Sequence, residues 1–345
     1  MEKKQFISEL VPGEAADGLF LISLAQQNQA RNGPYWRVVF KDSSGSVEGK
    51  IWSPLSQQHP DLKAGNICEV RGRVVVYRER NEIAVDALRV LNEEDAARVN
   101  LGDFLPASSR DSESMLLELE ALCRQNFSHG PWKKFYKLLL KDEEIDSRLR
   151  TAPAAKAMHH AYAGGLLEHT LGVARTAMAL ADLYPSLDRQ VLLAGAVCHD
   201  LGKMWELSSG LVIDYTTRGR LIGHISIVLE KIEPFLKKSG LEPELAEHLK
   251  HLVLSHHGTR EFGSPCLPAT AEAQVLHFAD NIDAKINQFS GALEGVPEGE
   301  EGWSSYIPGL DRHLFKAPQS PEAGKAKRNG AKATQESQCS LLSKG

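Results

Sequence analysis

Two hydrophobic rhythms divide the chain. From about residue 6 to residue 92, apolar and polar positions alternate in short runs broken by turn residues, the spacing of half-buried strands. Residues 18–24 read as a first strand, and residues 35–41 as a second entered from a turn at Asn32-Gly33-Pro34. Residues 42–46 carry turn chemistry, 47–52 a third strand and 67–77 a long fourth. A turn over 78–81 leads into 82–85. Five strands in this length predict a small closed barrel, and Gly72 inside the long strand suits a bend or bulge.

After residue 97 the spacing changes. Residues 97–112 read as a linker, with a helix start at Asp111 or Ser112, and 115–126 and 132–141 show helical spacing. From about 150 to 290 the period is helical throughout, with segments at 165–184, 191–203, 222–235, 243–254 and 271–289. The stripe Leu166, Thr170, Val173, Ala177 and Leu180 turns His169 inward, and Leu192 and Ala196 do the same for His199. Beyond Phe289 the order fades. Residues 294–302 read as a flexible acidic loop, 303–316 as a segment that packs back, and 317–345 as a disordered tail with Lys325, Lys327, Arg328 and Lys332. The predicted fold is two-domain, an all-β barrel (1–96) followed by an all-α bundle (151–290). Residues 97–150 connect them, 291–316 form a C-terminal packing segment, and the tail follows.

Composition narrows the partners. The 345 residues are 42% hydrophobic and 25% charged, with a net charge of −5, so nucleic-acid contact needs a local basic patch. The alternation supplies a candidate. Arg71, Arg73 and Tyr77 share the strand face opposite Cys68, Val70, Gly72 and Val74, and Lys50 and Trp52 lie opposite Ile51. With Trp36 of the second strand, these form a basic and aromatic set suited to single-stranded nucleic acid. A plain solvated outer face fits the pattern equally well. Five cysteines without paired spacing read as reduced thiols. No stretch has the core of a signal peptide or the roughly 20 apolar residues of a membrane span. The expectation is a soluble cytoplasmic protein with no membrane partner.

The chemistry concentrates in Ala194-Gly195-Ala196-Val197-Cys198-His199-Asp200-Leu201-Gly202-Lys203. His199 and Asp200 offer a nitrogen and a carboxylate to a divalent metal. Gly202 fits a helix end, where a left-handed residue is cheap, and Lys203 is a point charge able to hold a phosphate oxygen. His169, His224, His256, His257 and Asp280 lie in other helical segments. Each inward histidine would otherwise need its own buried partner, and one shared cation satisfies them together.

These stretches resemble the HD-domain superfamily of metal-dependent phosphohydrolases. With the barrel in front, the chain resembles the YhaM-type 3′–5′ exoribonucleases over roughly residues 5–316. The likeness rests on His159-His160-Ala161-Tyr162-Ala163-Gly164-Gly165-Leu166, His199-Asp200-Leu201-Gly202-Lys203, Leu221-Ile222-Gly223-His224-Ile225, Leu254-Ser255-His256-His257-Gly258 with Gly263-Ser264-Pro265, and Ala279-Asp280-Asn281-Ile282-Asp283-Ala284. The resemblance implies an oligonucleotide-binding (OB-type) barrel and an HD domain. It implies metal ligation by His169, His199, Asp200 and Asp280, and a second ion at His224, His256 and His257 with Asp200 bridging. One or two divalent ions per chain are expected, with Mn²⁺ or Co²⁺ indicated by the family. Nitrogen-rich ligation favours these or Fe²⁺ over Mg²⁺.

The implied reaction is phosphodiester hydrolysis in single-stranded RNA from the 3′ end, with single-stranded DNA left open. Asp200, Lys203 and His224 are the expected catalytic residues. Lys203 would stabilise a phosphate oxygen, and His224, or one of His256 and His257, would protonate the leaving group if not bound to metal. Glu168 and Asp283 are candidates for orienting the ligands, although each reads more readily as a helix-surface or cap residue. Two alternatives stand beside this reading: an HD phosphohydrolase of cyclic dinucleotides or small nucleotides with a regulatory barrel, and a non-catalytic RNA-binding protein with a structural metal. A homo-oligomer is compatible with all three.

Overall fold

Alternation builds the barrel as expected. The structure, a computed structural model, describes residues 3–320 apart from 79, 106, 107, 109, 157–159, 209, 210, 294, 295, 297–300, 308 and 319. The basic tail after 320, most of the acidic loop and His159 therefore lie outside the described residues. The strands are β1 (Ala15–Ala30), β2 (Gly33–Asp42), β3 (Gly45–Ile51), β4 (Ile67–Tyr77) and β5 (Arg80–Val90). They close in the order β1-β2-β3-β5-β4, with β3 and β5 parallel and the other described pairs antiparallel. Phe20 and Ile22, Trp36, Val38 and Phe40, Val47 and Ile51, Val70 and Val74, and Ile83 fill the interior. The pairing of β4 with β5 shifts register between Arg71 and Gly72. A Cβ on Gly72 would fall 2.2 Å from the Ala84 carbonyl oxygen, so the bend needs glycine there.

β1 runs on to Ala30, past the predicted end at 24. Gln26 to Gln29 are polar on both faces and carry no strand period, but they pair residue by residue with β2. The backbone ladder, which leaves no hydrophobic signature, holds this arm.

A short helix α1 (Leu55–Gln58) joins β3 to β4, and α2 (Glu93–Ala96) follows the barrel. The predicted linker is partly buried: Val99 and Phe104 join Leu19, Leu21, Ile67 and Leu91 in an apolar cluster that also meets half-buried Leu211. The helical part comprises α3 (Ser112–Asn126), α4 (Gly130–Leu140), α5 (Glu143–Leu149), α6 (Gly165–Leu183), α7 (Arg189–Cys198), α8 (Lys203–Glu206), α9 (Thr217–Ile222), α10 (His224–Ser239), α11 (Pro243–Ser255) and α12 (Ala271–Leu293). Asp111, Asp142, Asp188 and Thr216 cap α3, α5, α7 and α9 by accepting backbone N–H bonds. Met115, Leu119, Trp132 and Phe135 of α3 and α4 share one core with Leu166, Leu171, Leu192, Leu252 and Leu276.

Two predicted helices are broken, both at the site. The 191–203 segment ends at Cys198, turns through 199–202 and restarts as α8; the 222–235 segment splits at Gly223. The chain divides into two compact units, Met1–Gln288 and Phe289–Gly345, the first holding both the barrel and most of the bundle. In the second unit β6 (Gly302–Trp303) pairs with β7 (Phe315–Lys316). No helix among the described residues is long and apolar enough to cross a membrane.

Candidate active site

The broken helices put side chains where an unbroken helix could not. His199 caps the C-terminus of α7, His256 caps α11, and His224 opens α10. His169 and Asp280 reach the same point from α6 and α12. Asp200, in the turn after α7, sits at the centre and is almost wholly buried.

Its two carboxylate oxygens face different partners. Oδ2 lies 3.4 Å from His169 Nε2, 3.4 Å from His199 Nε2 and 2.6 Å from Lys203 Nζ. Asp280 Oδ1 joins that side, 3.2 Å from His169 Nε2, and the two imidazole Nε2 atoms are 3.3 Å apart. Oδ1 faces His224 Nε2 at 3.5 Å and His256 Nε2 at 3.7 Å. Ligand atoms of His224, His256 and His257 lie within 4.8 Å of one another, as do those of His169, His199 and Asp200. Two ligand atoms each about 2.1 Å from one ion sit roughly 3.0–3.5 Å apart, so these separations suit cations between them.

Four of the atoms in the cluster lack partners. Asp200 Oδ1, His224 Nε2, His256 Nε2 and His257 Nδ1 are buried and have no hydrogen-bond partner. Four such atoms in one cluster would cost on the order of 1–3 kcal/mol each if left so. Meanwhile the Nδ1 atoms of four of the histidines are satisfied. His199 Nδ1 donates to the Ala196 carbonyl (2.9 Å), His256 Nδ1 to the Val253 carbonyl (2.7 Å), His224 Nδ1 to Glu206 (3.1 Å) and His169 Nδ1 to Asp283 (2.7 Å). Donation from Nδ1 leaves a lone pair on Nε2, the arrangement of metal-binding histidines. The donor set therefore fits divalent metal, in two groups that share Asp200.

Electrostatics agree. Burial disfavours the Asp200 charge, but Lys203, His199 and His169 outweigh it and pull its pKa well below the ordinary carboxylate range. Burial opposes protonation of His169, yet the carboxylates of Asp200, Asp280 and Asp283 raise its pKa well above the ordinary value, so this point attracts positive charge. Burial, with His256 and His224 nearby, holds His257 down at about 3, which keeps it neutral.

Supporting residues surround the ligands: Asp283 and Glu168 are the two candidates read from the sequence, whereas Glu206 and Tyr162 carried little sequence signal. Glu206 accepts both the His224 backbone N–H (3.0 Å) and its imidazole, so it fixes the first residue of α10. A lone acid within Met204-Trp205-Glu206-Leu207 is the one hint the chain offers. Asp283 bonds His160 (3.0 Å) as well as His169; burial opposes its charge, but these bonds hold its pKa down at about 2. These hydrogen bonds account for the His160, His169 and Asp283 group without an ion. Tyr162, 2.8 Å from His160 Nδ1, donates to Glu168 and ties that residue in behind the ligands.

Gly202 has a different reason from the expected one. Its φ is −59°, right-handed, not left-handed. What the position requires is a missing side chain, because a Cβ would lie 2.0 Å from the His224 carbonyl oxygen. Gly202→Ala is expected to destabilise the fold by about 1–3 kcal/mol, as overpacking does, and to displace His224. Thermal unfolding together with metal affinity checks both effects.

The barrel face also needs one correction. Trp36 is only 7% exposed, packs with Val38 and Phe40, and donates from Nε1 to the His59 carbonyl. Period two puts it on the inner face of β2, so it leaves the nucleic-acid set. Its neighbour Tyr35 takes the outer position and stacks on exposed Trp52 (centroids 4.6 Å apart, planes at 27°). Lys50 lies 4.3 Å from the Tyr77 ring centroid and pairs with Glu82 (2.7 Å); Arg71 lies 3.6 Å from Asp17, and Arg73 is exposed.

Known proteins share both halves. The family model described as "HD domain" matches residues 166–285, and the one described as "OB-fold nucleic acid binding domain" matches residues 24–91. The "3′-5′ exoribonuclease YhaM" of Shouchella clausii (strain KSM-K16) is 36% identical over 308 residues, covering 89% of this chain and 94% of that protein. The protein of the same description from Bacillus subtilis (strain 168) is 34% identical over 307 residues, covering 89% and 96%. The chain belongs to the YhaM family. This YhaM relative accordingly has an OB-type barrel followed by an HD domain, and His169, His199, Asp200, His224, His256, His257 and Asp280 all fall within the HD match.

Proposed function

We propose that the protein removes nucleotides from the 3′ end of single-stranded RNA by metal-dependent phosphodiester hydrolysis. The observation that carries the reading is Asp200, whose two oxygens face two nitrogen clusters at the floor of a cavity of about 310 Å³. His169, His199, Asp280 and Asp200 Oδ2 would hold one ion; His224, His256, His257 and Asp200 Oδ1 would hold a second. When bound, such ions supply a nucleophile from water at neutral pH and stabilise charge on phosphoryl oxygens. Nitrogen-rich ligation favours Mn²⁺, Co²⁺ or Fe²⁺ over Mg²⁺.

Lys203 lines the cavity and stays charged, since Asp200 outweighs the burial that opposes its charge. It is placed to hold a non-bridging phosphate oxygen. His224 fits a ligand better than a proton donor, because Glu206 takes its Nδ1 proton and Nε2 points at Asp200. Hydrolysis breaks the bond between phosphorus and the 3′ oxygen. The released nucleotide keeps a 5′ phosphate and the shortened RNA gains a 3′ hydroxyl. Asp283 and Glu206 keep the imidazoles aimed throughout.

The barrel would hold the strand. Tyr35 and Trp52 would give bases a stacking surface, with Lys50 and Tyr77, and Arg71 and Arg73 of β4, as outward groups for the backbone. Trp52→Ala is expected to weaken binding of single-stranded RNA roughly five- to 150-fold, the worth of one stacked base. It should leave hydrolysis of a dinucleotide, whose cleavage calls only on the ligand cluster in this reading, at the wild-type rate. Fluorescence anisotropy and dinucleotide turnover check the two halves. Among the described residues Cys68, Cys123, Cys198 and Cys266 are free thiols, which supports the reading of a cytoplasmic protein.

The deciding experiment uses metal-stripped protein and 5′-labelled single-stranded RNA, with Mn²⁺ added back. A ladder that shortens from the 3′ end only when metal is present is the expected result. No cleavage with Mn²⁺, Co²⁺, Fe²⁺ or Mg²⁺ would overturn the reading.

A further inference from the structure

The cavity beside the ligand cluster has walls that metal binding does not use. At about 310 Å³ it sits at the lower end of the range for small-molecule sites, about 300–1,000 Å³. That is the scale of one nucleotide unit, not of a base-paired helix. Asp200, Lys203, His257 and Asp280 line the cavity together with Asn281 and Lys285 of α12, and Phe262 lines it from the loop that follows α11.

Phe262 is 68% exposed, although it is a large apolar ring. It ends a single 3₁₀ turn, Arg260–Phe262, in the loop between α11 and α12. That loop is pinned on both sides. Buried Ser264 places its Oγ 3.1 Å from the Leu254 carbonyl and 2.7 Å from the Cys266 carbonyl, and its N–H donates to Thr259. His277 Nδ1 donates to the His256 carbonyl across the base of the loop. The ring is thus held outward by a fixed turn. One exposed aromatic means little alone; this one lines the same cavity as Asp200, His257 and Asp280 of the metal-ligand cluster. An enzyme that removes every nucleotide in turn needs a base contact that does not read hydrogen-bonding edges. An aromatic face is such a contact, because every base has a π-face.

We propose that Phe262 is the platform on which the base of the 3′-terminal nucleotide stacks while its phosphodiester lies over Asp200 and Lys203. The proposal rests on the exoribonuclease reading and adds the residue that grips the nucleotide being removed. Stacking registers that nucleotide against the ligand cluster without selecting among the four bases.

The test compares two 5′-labelled RNAs, identical except that one ends in an abasic ribonucleotide, with the full chain loaded with Mn²⁺. The wild type should favour the base-bearing end roughly five- to 150-fold in kcat/KM, the range for one base–aromatic stack. Phe262→Ala should lose that preference, chiefly through KM, and Phe262→Trp should keep it. A wild type that cleaves both ends equally would overturn the proposal while leaving the exoribonuclease reading intact. So would a Phe262→Ala protein, with unchanged melting, that retains the preference or fails on both substrates. Failure of the wild type to shorten either RNA would remove the exoribonuclease reading, and this proposal with it.

Discussion

Asp200→Ala is expected to abolish RNA hydrolysis, with a loss well beyond the about 10–100-fold that changes behind a metal site cost. Most ligands in the cluster belong to one group of donors, but Asp200 belongs to both, through Oδ2 to His169 and His199 and through Oδ1 to His224 and His256. Removing it takes a negative ligand from each group at once. It also leaves the Lys203 ammonium, now 2.6 Å from Asp200 Oδ2, without its partner in a mostly buried place. An uncompensated buried charge costs about 3–5 kcal/mol, so the variant should also melt earlier. Asp200→Ala with Lys203→Ala should recover part of that stability and none of the activity. Single-turnover cleavage, metal content per chain and thermal unfolding separate the effects. A variant that keeps both its metal and a tenth of its activity would show that Asp200 does not bridge.

The same residue shows why much of the site is legible in sequence. His199 and Asp200 are adjacent, and His169 falls on an apolar helical stripe, so a period of 3.6 places it inward without any structure. His256 and His257 follow an apolar run in the same way. The barrel is legible for a parallel reason: Val38, Phe40, Val70 and Val74 alternate with half-buried or exposed positions. What does not show is contact between segments far apart in the chain. Glu206 is eighteen residues from His224 and Asp283 is 114 from His169, and neither spacing has a local signature. Gly202 signals a conformational need in sequence, while its actual constraint is the neighbouring His224 carbonyl. Trp36 fails for a simpler reason. Residue type suggested a stacking surface, whereas its period with Val38 and Phe40 already placed it inside.

Those two distant acids give the second large effect, and they act on different halves of the cluster. Asp283→Asn is expected to weaken the ion held by His169, His199 and Asp280, and Glu206→Gln the ion held by His224, His256 and His257, each by about 10–100-fold. Asp283 accepts the His169 Nδ1 proton at 2.7 Å, and Glu206 accepts the His224 Nδ1 proton at 3.1 Å. An ionised carboxylate can only accept there, which fixes Nε2 as the lone-pair end. An amide can turn its N–H₂ toward the ring, which then offers Nε2–H to the metal position and loses it as a ligand. Glu206→Gln carries a second penalty, since Glu206 also accepts the first backbone N–H of α10, where a negative charge is favoured. Mn²⁺ titration followed by electron paramagnetic resonance reads the two affinities separately. Each variant should lose one class of site and keep the other, with activity falling in both. Parallel loss of both classes in either variant would mean that the nitrogens around Asp200 act as one site, and that Asp200 does not divide them.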